Sequence, residues 1–269
     1  MTAAAENNGT AKSGNSAAKK FAIEIENVTV AYRAYKERPT SLKETIVNII
    51  RRGQLKYSTT FDALAQLSLT VEKGTVLGVI GSNGSGKSTL LKVLAGVLKP
   101  TSGMVRVNGS VASLIELGVG FDPEQNAIEN IYLNGALHKK SKSQISKRVN
   151  KILDFAELHE FAFTPIKYYS SGMGARLGFG VAIDINPDVL LVDEILAVGD
   201  ERFQSKCLVE FQRFLDSGKT IVMVSHNMEM LAEKADKIAL LSKGKLVFLG
   251  DPTTALNMYR DRSYETALR

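Results

Sequence analysis

Apolar and polar residues alternate from Phe21 to Tyr32, the period-two pattern of a half-buried strand. A different pattern follows. Pro39 precedes Ser41, Glu44 stands at capping-box distance from Ser41, and Leu42, Ile46, Ile49 and Ile50 share one helical face. Residues 39–53 therefore predict a short amphipathic helix ending at Gly53. Strand pattern returns at Gln66–Val71, then at Val76–Ile80, which is almost wholly apolar and reads as a buried parallel strand. Thr89–Leu98 predicts a helix. From about residue 124 to 165 the spacing turns helical, with Ile145, Val149, Ile152 and Ala156 on one face and Ile128, Ile131 and Tyr132 less regularly placed. Val189–Val192 and Ile221–Val224 are again buried-strand runs. Ile238–Leu241 and Leu246–Leu249 flank Lys243-Gly244, a hairpin signature. A last helix is predicted from about Thr253. Strands alternating with helices around one helical insertion predict an α/β core carrying a helical lobe.

The chain has 269 residues, 44% hydrophobic and 23% charged, enough for a full core. No apolar stretch reaches the eighteen or so residues of a membrane span, so the chain is expected to be soluble by itself and to meet a membrane only through a partner. Residues 1–20 are rich in Ala, Asn, Gly, Ser and Lys, lack the apolar centre of a secretory signal, and are expected to be a disordered tail. A single cysteine, Cys207, rules out an intrachain disulfide and suits a reducing compartment. The net charge of +6 is open to several readings: nucleic acid, anionic lipid, an acidic substrate, or simply a solvated surface. The densest basic run, Lys139, Lys140, Lys142, Lys147 and Arg148, reads first as a solvated helix face.

Candidate chemistry starts at Gly81-Ser82-Asn83-Gly84-Ser85-Gly86-Lys87-Ser88, followed by Thr89. This is the phosphate-loop pattern GxxxxGK[ST], set between a buried strand and a helix. The glycines let successive N–H groups converge on one anion, and the helix N-terminus adds partial positive charge. Lys87 can reach the β- and γ-phosphates, and Ser88 can offer its hydroxyl to Mg²⁺. Many nucleotide hydrolases share this loop, so by itself it leaves the class open.

Val189–Val192 ends in Asp193 and Glu194. An acid at the carboxyl end of a central strand lies where open α/β sheets bind ligands. Asp193 fits an outer ligand of Mg²⁺. Glu194 points differently and is the candidate base, or positioner, for the attacking water. His226 lies just beyond Ile221–Val224, and that position marks it for contact with the γ-phosphate.

Tyr169-Ser170-Ser171-Gly172-Met173 precedes the Asp193 strand. With the motifs above, it resembles the signature LSGGQ of ATP-binding cassette proteins, matching at Ser170 and Gly172 and departing at Ser171 and Met173. The resemblance runs from about residue 21 to 250. It implies an α/β fold: a P-loop NTPase core of the ATP-binding cassette type with an inserted helical lobe, about 117–176, and an antiparallel β subdomain. A C-terminal helix, 251–269, would follow. It also implies ATP and Mg²⁺, Tyr32 stacking on adenine, and Ser170, Ser171 and Gly172 at the N-terminus of a helix at Arg176–Ile185. Asp200 falls in the loop that crosses a dimer interface. The switch position usually held by Gln is taken here by Glu116, which would keep an oxygen ligand for Mg²⁺ or water but lose the amide's donor.

Four stretches are similar to cassettes that export bacterial cell-surface polysaccharides: the YSSGM signature, LIELGVGF (Leu114–Phe121), ENIYLNG (Glu129–Gly135) and DEILAVGD (Asp193–Asp200). That likeness implies a homodimer sandwiching two ATPs, a separate multi-span permease, and a lipid-linked glycan as cargo. It places the chain on the cytoplasmic side of a bacterial inner membrane. The helix at Leu42–Ile50 would either face the permease or pack on its own domain. With Arg269 as its last residue, the extra carbohydrate-binding domain of some O-antigen cassettes is not expected. The rival expectations are a drug or lipid exporter and a cassette acting on nucleic acid or ribosomes. The second lacks support, since neither a second cassette nor a long coiled coil occurs in the chain.

Overall fold

The uninterrupted apolar run Val76–Ile80 is a strand, β3, covered on both faces. Val76 and Ile80 enter one hydrophobic cluster, Leu77 and Val79 another, because side chains alternate across a strand. A strand covered on both sides shows no polar face, so its sequence does not alternate. The computed structural model describes residues 20–35, 58–114, 118, 120–193 and 199–264. The predicted tail (save Lys20), the predicted helix around Leu42–Ile50, Glu116 and Glu194 all lie outside the described residues.

Around β3 stand Val111–Ser113 (β5), Val189–Asp193 (β6), Thr220–Val224 (β7), Lys237–Ser242 (β8) and Lys245–Gly250 (β9). Among the described residues they form a sheet of order β5-β6-β7-β3-β8-β9. All pairings are parallel except that of β8 with β9. One face packs on Phe179, Phe203, Cys207, Phe211 and Leu256 from the helices Ser171–Asp184 (α4), Glu201–Asp216 (α5) and Pro252–Arg260 (α7). The other packs on the helix Lys87–Leu94 (α1) and on a second sheet.

That second sheet joins Phe21–Tyr35 (β1), Ser58–Glu72 (β2) and Ser102–Val107 (β4), all antiparallel, in the order β2-β1-β4. The simple alternation expected along β1 is interrupted. Ile23 and Ile25 are buried, then Val28 and Val30, a change of parity at Asn27. Asn27 has φ +48°, and the register with β2 shifts between Ile25 and Val28. A bulge of this kind inserts one residue and restores the inward set beyond it. Gly103 of β4 accommodates the bulge, since a Cβ there would lie 2.4 Å from the Asn27 carbonyl oxygen. On β2, Gln66 at φ +50° divides buried Leu64 from buried Leu67 and Leu69 in the same way. The predicted strand Gln66–Val71 therefore extends back to Ser58, past an irregularity that breaks its periodicity.

The helices Ala127–Leu137 (α2) and Lys142–Ala156 (α3) both begin with capping boxes, Asn126 with Glu129 and Ser141 with Gln144. They pack on α4 through Ile131, Ile145, Val149, Ile152, Leu177 and Val181, a cluster of their own. Two members of the basic run are not free surface. Lys140 donates to the Asp184 carbonyl at 2.7 Å, and Arg148 Nε meets the Asp184 carboxylate at 2.5 Å. Those cations fasten the loop between α2 and α3, and α3 itself, to the end of α4.

Asn130 is fully buried and closes the turn ahead of α2. Its Oδ1 accepts from the Asp122 N–H at 2.7 Å, and its Nδ2 donates to the carbonyls of Asp122, Gln125 and Asn126. Asn130→Ala leaves the Asp122 N–H without its partner and takes a second donor from three carbonyls that keep a backbone one, and it is expected to cost about 2 kcal/mol. Urea unfolding measures it; a loss under about 0.5 kcal/mol would show that water replaces the side chain without penalty.

The helix predicted at Thr89–Leu98 starts at Lys87 and stops at Leu94, because Gly96 turns the chain at φ +73°. The helix expected at Arg176–Ile185 begins five residues earlier, at Ser171. Strands β4 and β5, the helix α5, and the short helix Met228–Lys234 (α6) have no counterpart among the predicted elements. For α5 the signal was present: Phe203, Cys207, Phe211 and Phe214 fall on one face and are buried.

Candidate functional site

Parallel neighbours β6, β7 and β3 end at the same edge of their sheet. Each carboxyl end delivers one piece of chemistry there. Asp193 is the last residue of β6 and stands opposite Val224 of β7. His226 follows β7 by two residues, and the loop Gly81–Gly86 follows β3. A cavity of about 730 Å³ joins them, lined among others by Asn83 to Thr89, Asp193, His226 and Tyr32.

The loop's shape is set by two glycines. Gly81, at φ +152°, has no room for a Cβ, which would lie 2.3 Å from the Leu241 carbonyl oxygen. Gly86, at φ +106°, is the N-cap of α1, and a Cβ there would lie 2.5 Å from the Ala63 carbonyl oxygen. No side chain caps α1, so its first-turn N–H groups are left for an anion. Lys87 curls back over the loop, donating from Nζ to the Gly81 carbonyl at 2.7 Å and the Ser82 carbonyl at 3.1 Å. Ser82, Asn83, Gly84 and Ser88 are exposed, and Ser85 is buried with an Oγ that has no hydrogen-bond partner. Burial pushes the Lys87 ammonium below its ordinary pKa, while the charge of Asp193 pushes it back up. Burial raises the Asp193 carboxyl above its usual range, opposed by Lys87 and His226. The two groups share a partly desolvated pocket, and each favours the other's charged form against that desolvation.

At the rim, Tyr32 of β1 pairs in register with Phe61 of β2. Their rings stack with centroids 5.8 Å apart, and both are exposed. Phe61, Asp62 and Lys243 also line the cavity. None of these three was recognisable from its sequence neighbourhood; only the β1–β2 register and the packing of the β8–β9 hairpin bring them here.

Ser170, Ser171 and Gly172 are not among the residues lining this cavity. They form a separate helix start: Ser170 is the N-cap of α4, its Oγ accepting from the Met173 N–H at 3.2 Å. Tyr169 beside them donates to the Phe161 carbonyl. One turn into α4, Arg176 reaches two carboxylates, Glu157 at the end of α3 at 3.2 Å and Asp200 at the start of α5 at 3.0 Å, with its guanidinium over the Phe203 ring. The Phe203 N–H, aided by Arg176, holds the Asp200 carboxyl below its usual range. A hydrogen bond from Lys206 does the same for Glu157. Arg176 thus joins α3, α4 and α5 beside the Ser170–Gly172 segment, together with the Lys206–Glu157 pair and the stacked rings of Phe155, Phe179 and Phe203, a role its sequence context did not signal.

A glycine-rich phosphate loop between a parallel strand and a helix, with an acid at the end of the strand two places along the sheet, defines a P-loop nucleotide hydrolase. The family model for ABC transporters matches residues 64–197. The O-antigen export system ATP-binding protein RfbB of Klebsiella pneumoniae is 41% identical over 238 residues, 88% of this chain and 97% of that protein. The teichoic acids export ATP-binding protein TagH of Staphylococcus saprophyticus is 42% identical over 237 residues, 88% and 87% of the two chains. The chain belongs to the ABC transporter family, as an ATP-binding, ATP-hydrolysing cassette. A solved ATP-binding cassette, dimeric and bound to ADP and Pi, shares its fold with a TM-score of 0.64 at 22% identity, over 86% of this chain and 98% of that one.

Proposed function

We propose that the chain is the ATP-driven motor of an exporter of lipid-linked cell-surface polysaccharide. What supports the cargo is that relatives alike over nearly their whole length are named for O-antigen and teichoic acid export. What supports the motor is one cavity holding phosphate loop, strand-end acid, histidine and aromatic rim. In this reading, residues 21–250 form the nucleotide-binding unit with a lobe at about 117–176, and 251–269 the C-terminal helix.

Tyr32 stacks on the adenine, with Phe61 as a second ring beside it. N–H groups of Gly81–Thr89 hold the phosphates, and Lys87 leaves its carbonyl partners for the β- and γ-oxygens. Ser88 and Asp193 offer hard oxygen donors that suit Mg²⁺, and Glu116 would add a third. These donors would hold the cation where it would supply positive charge to the phosphate oxygens. Glu194 takes the proton of the attacking water, and His226 contacts the γ-phosphate. Ser170, Ser171 and Gly172 stand on their own helix start, away from this cavity, and so act on the nucleotide of a second copy. Closing two copies over two ATPs draws on the tighter grip of the closed dimer. Arg176 ties that helix start to Asp200 and to the lobe, so closure moves them together.

No helix among the described residues is long and apolar enough to cross a membrane. The motor works at the cytoplasmic face of the plasma membrane through a separate multi-span permease, without nucleic acid. Deleting the chain in its host is expected to strip the surface polysaccharide and accumulate its lipid-linked form inside, with rescue by the intact chain and not by Lys87→Ala. Normal surface polysaccharide in the deletion strain would overturn the cargo.

A further inference from the structure

The β8–β9 hairpin turns through Lys243 at φ +49° and Gly244 at φ +77°. Two successive residues with positive φ make the tight two-residue turn that favours Asn-Gly or Gly-Gly. A lysine in the left-handed region is strained by roughly 1 kcal/mol or more. The turn is also not a free tip. The Gly244 N–H donates to the Ser85 carbonyl in the phosphate loop at 3.0 Å, and the Ala65 N–H donates to the Gly244 carbonyl at 2.8 Å. A Cβ on Gly244 would lie 2.9 Å from the Ala63 carbonyl oxygen, the same atom that crowds Gly86. Hairpin tip, phosphate loop and β2 are locked backbone to backbone, and Lys243 lines the cavity along with Phe61 and Asp62.

We propose that Lys243 is a further nucleotide-binding residue, bringing a second ammonium to the phosphates from outside the phosphate loop. The proposal rests on the reading of this cavity as the ATP site. A triphosphate carries more charge than Lys87 and the roughly half charge of the α1 N-terminus offset together. The strain at Lys243 is then the cost of placing a cation where Asn or Gly would fold more readily.

The experiment uses the full chain and titrates ATP and ADP by calorimetry, with Lys243→Asn, Lys243→Arg and Lys87→Ala in parallel. Lys243→Asn relieves the turn, so its nucleotide-free Tm is expected to equal or exceed that of the parent. Its ATP affinity is expected to fall about fivefold to tenfold, the size of one partly screened charge contact. Lys243→Arg is expected to stay within about twofold. Parental affinity in Lys243→Asn, or a loss that Arg does not recover, overturns the role of Lys243. If Lys87→Ala also binds ATP as the parent does, the ATP reading of the cavity fails instead.

Discussion

Lys87→Ala is expected to weaken ATP binding about a hundredfold or more, with loss of measurable hydrolysis. The Lys87 ammonium lies over the phosphate loop on two backbone carbonyls, Gly81 and Ser82. Those bonds pair a charged donor with neutral acceptors; phosphate oxygens make the acceptor an anion as well, and such contacts are worth about 1.5–3 kcal/mol each. Two such contacts account for the expected loss. The fold itself needs Lys87 little. Its hydrophobic neighbours in α1, Leu90, Leu91, Val93 and Leu94, carry the packing, so the variant's Tm without nucleotide should change by only a few degrees. Calorimetry of ATP binding with a thermal melt checks both parts. ATP affinity within about threefold of the parent would remove Lys87, and with it the phosphate-loop assignment.

Glu194→Gln is expected to slow ATP hydrolysis by about 10² to 10⁴, the usual worth of a positioned base, while ATP affinity holds within about threefold. Glutamine keeps the size and the polar contacts of the side chain but cannot take a proton from water. With the triphosphate uncleaved, the closed pair of copies cannot reset, so size-exclusion chromatography with ATP should show a dimer that the parent only visits. Parental turnover in this variant would take Glu194 out of the mechanism. A monomer throughout would count against the two-copy site that Ser170 and Gly172 imply.

The parts of this site that could be read directly were those whose chemistry is local in the chain. The phosphate loop needs its glycines, lysine and serine in one short run, because a single turn of backbone makes the anion cradle. Asp193 announced itself by ending an apolar run, and β6 ends there. The hairpin at Lys243-Gly244 was equally legible, its two strands pairing as expected. What was missed had a physical reason in each case. The bulges at Asn27 and Gln66 reverse strand parity and hide the full length of β2. Strands β4 and β5 are short, and β4 is mostly exposed, so no periodic core signal marks them. The basic run 139–148 read as solvated because its partner Asp184 comes from another helix.

By itself, then, the sequence determined the nucleotide chemistry, the strand ends that carry it and the family's order of motifs, since each depends on neighbours a few residues apart. Only the tertiary structure decided that Tyr32 meets Phe61, that Gly244 of the hairpin bonds to Ser85 of the phosphate loop, and that Arg176 joins Glu157 to Asp200. Those encounters hang on sheet register and helix packing, which are set by burial summed over segments far apart in the chain and are written in no single stretch of it.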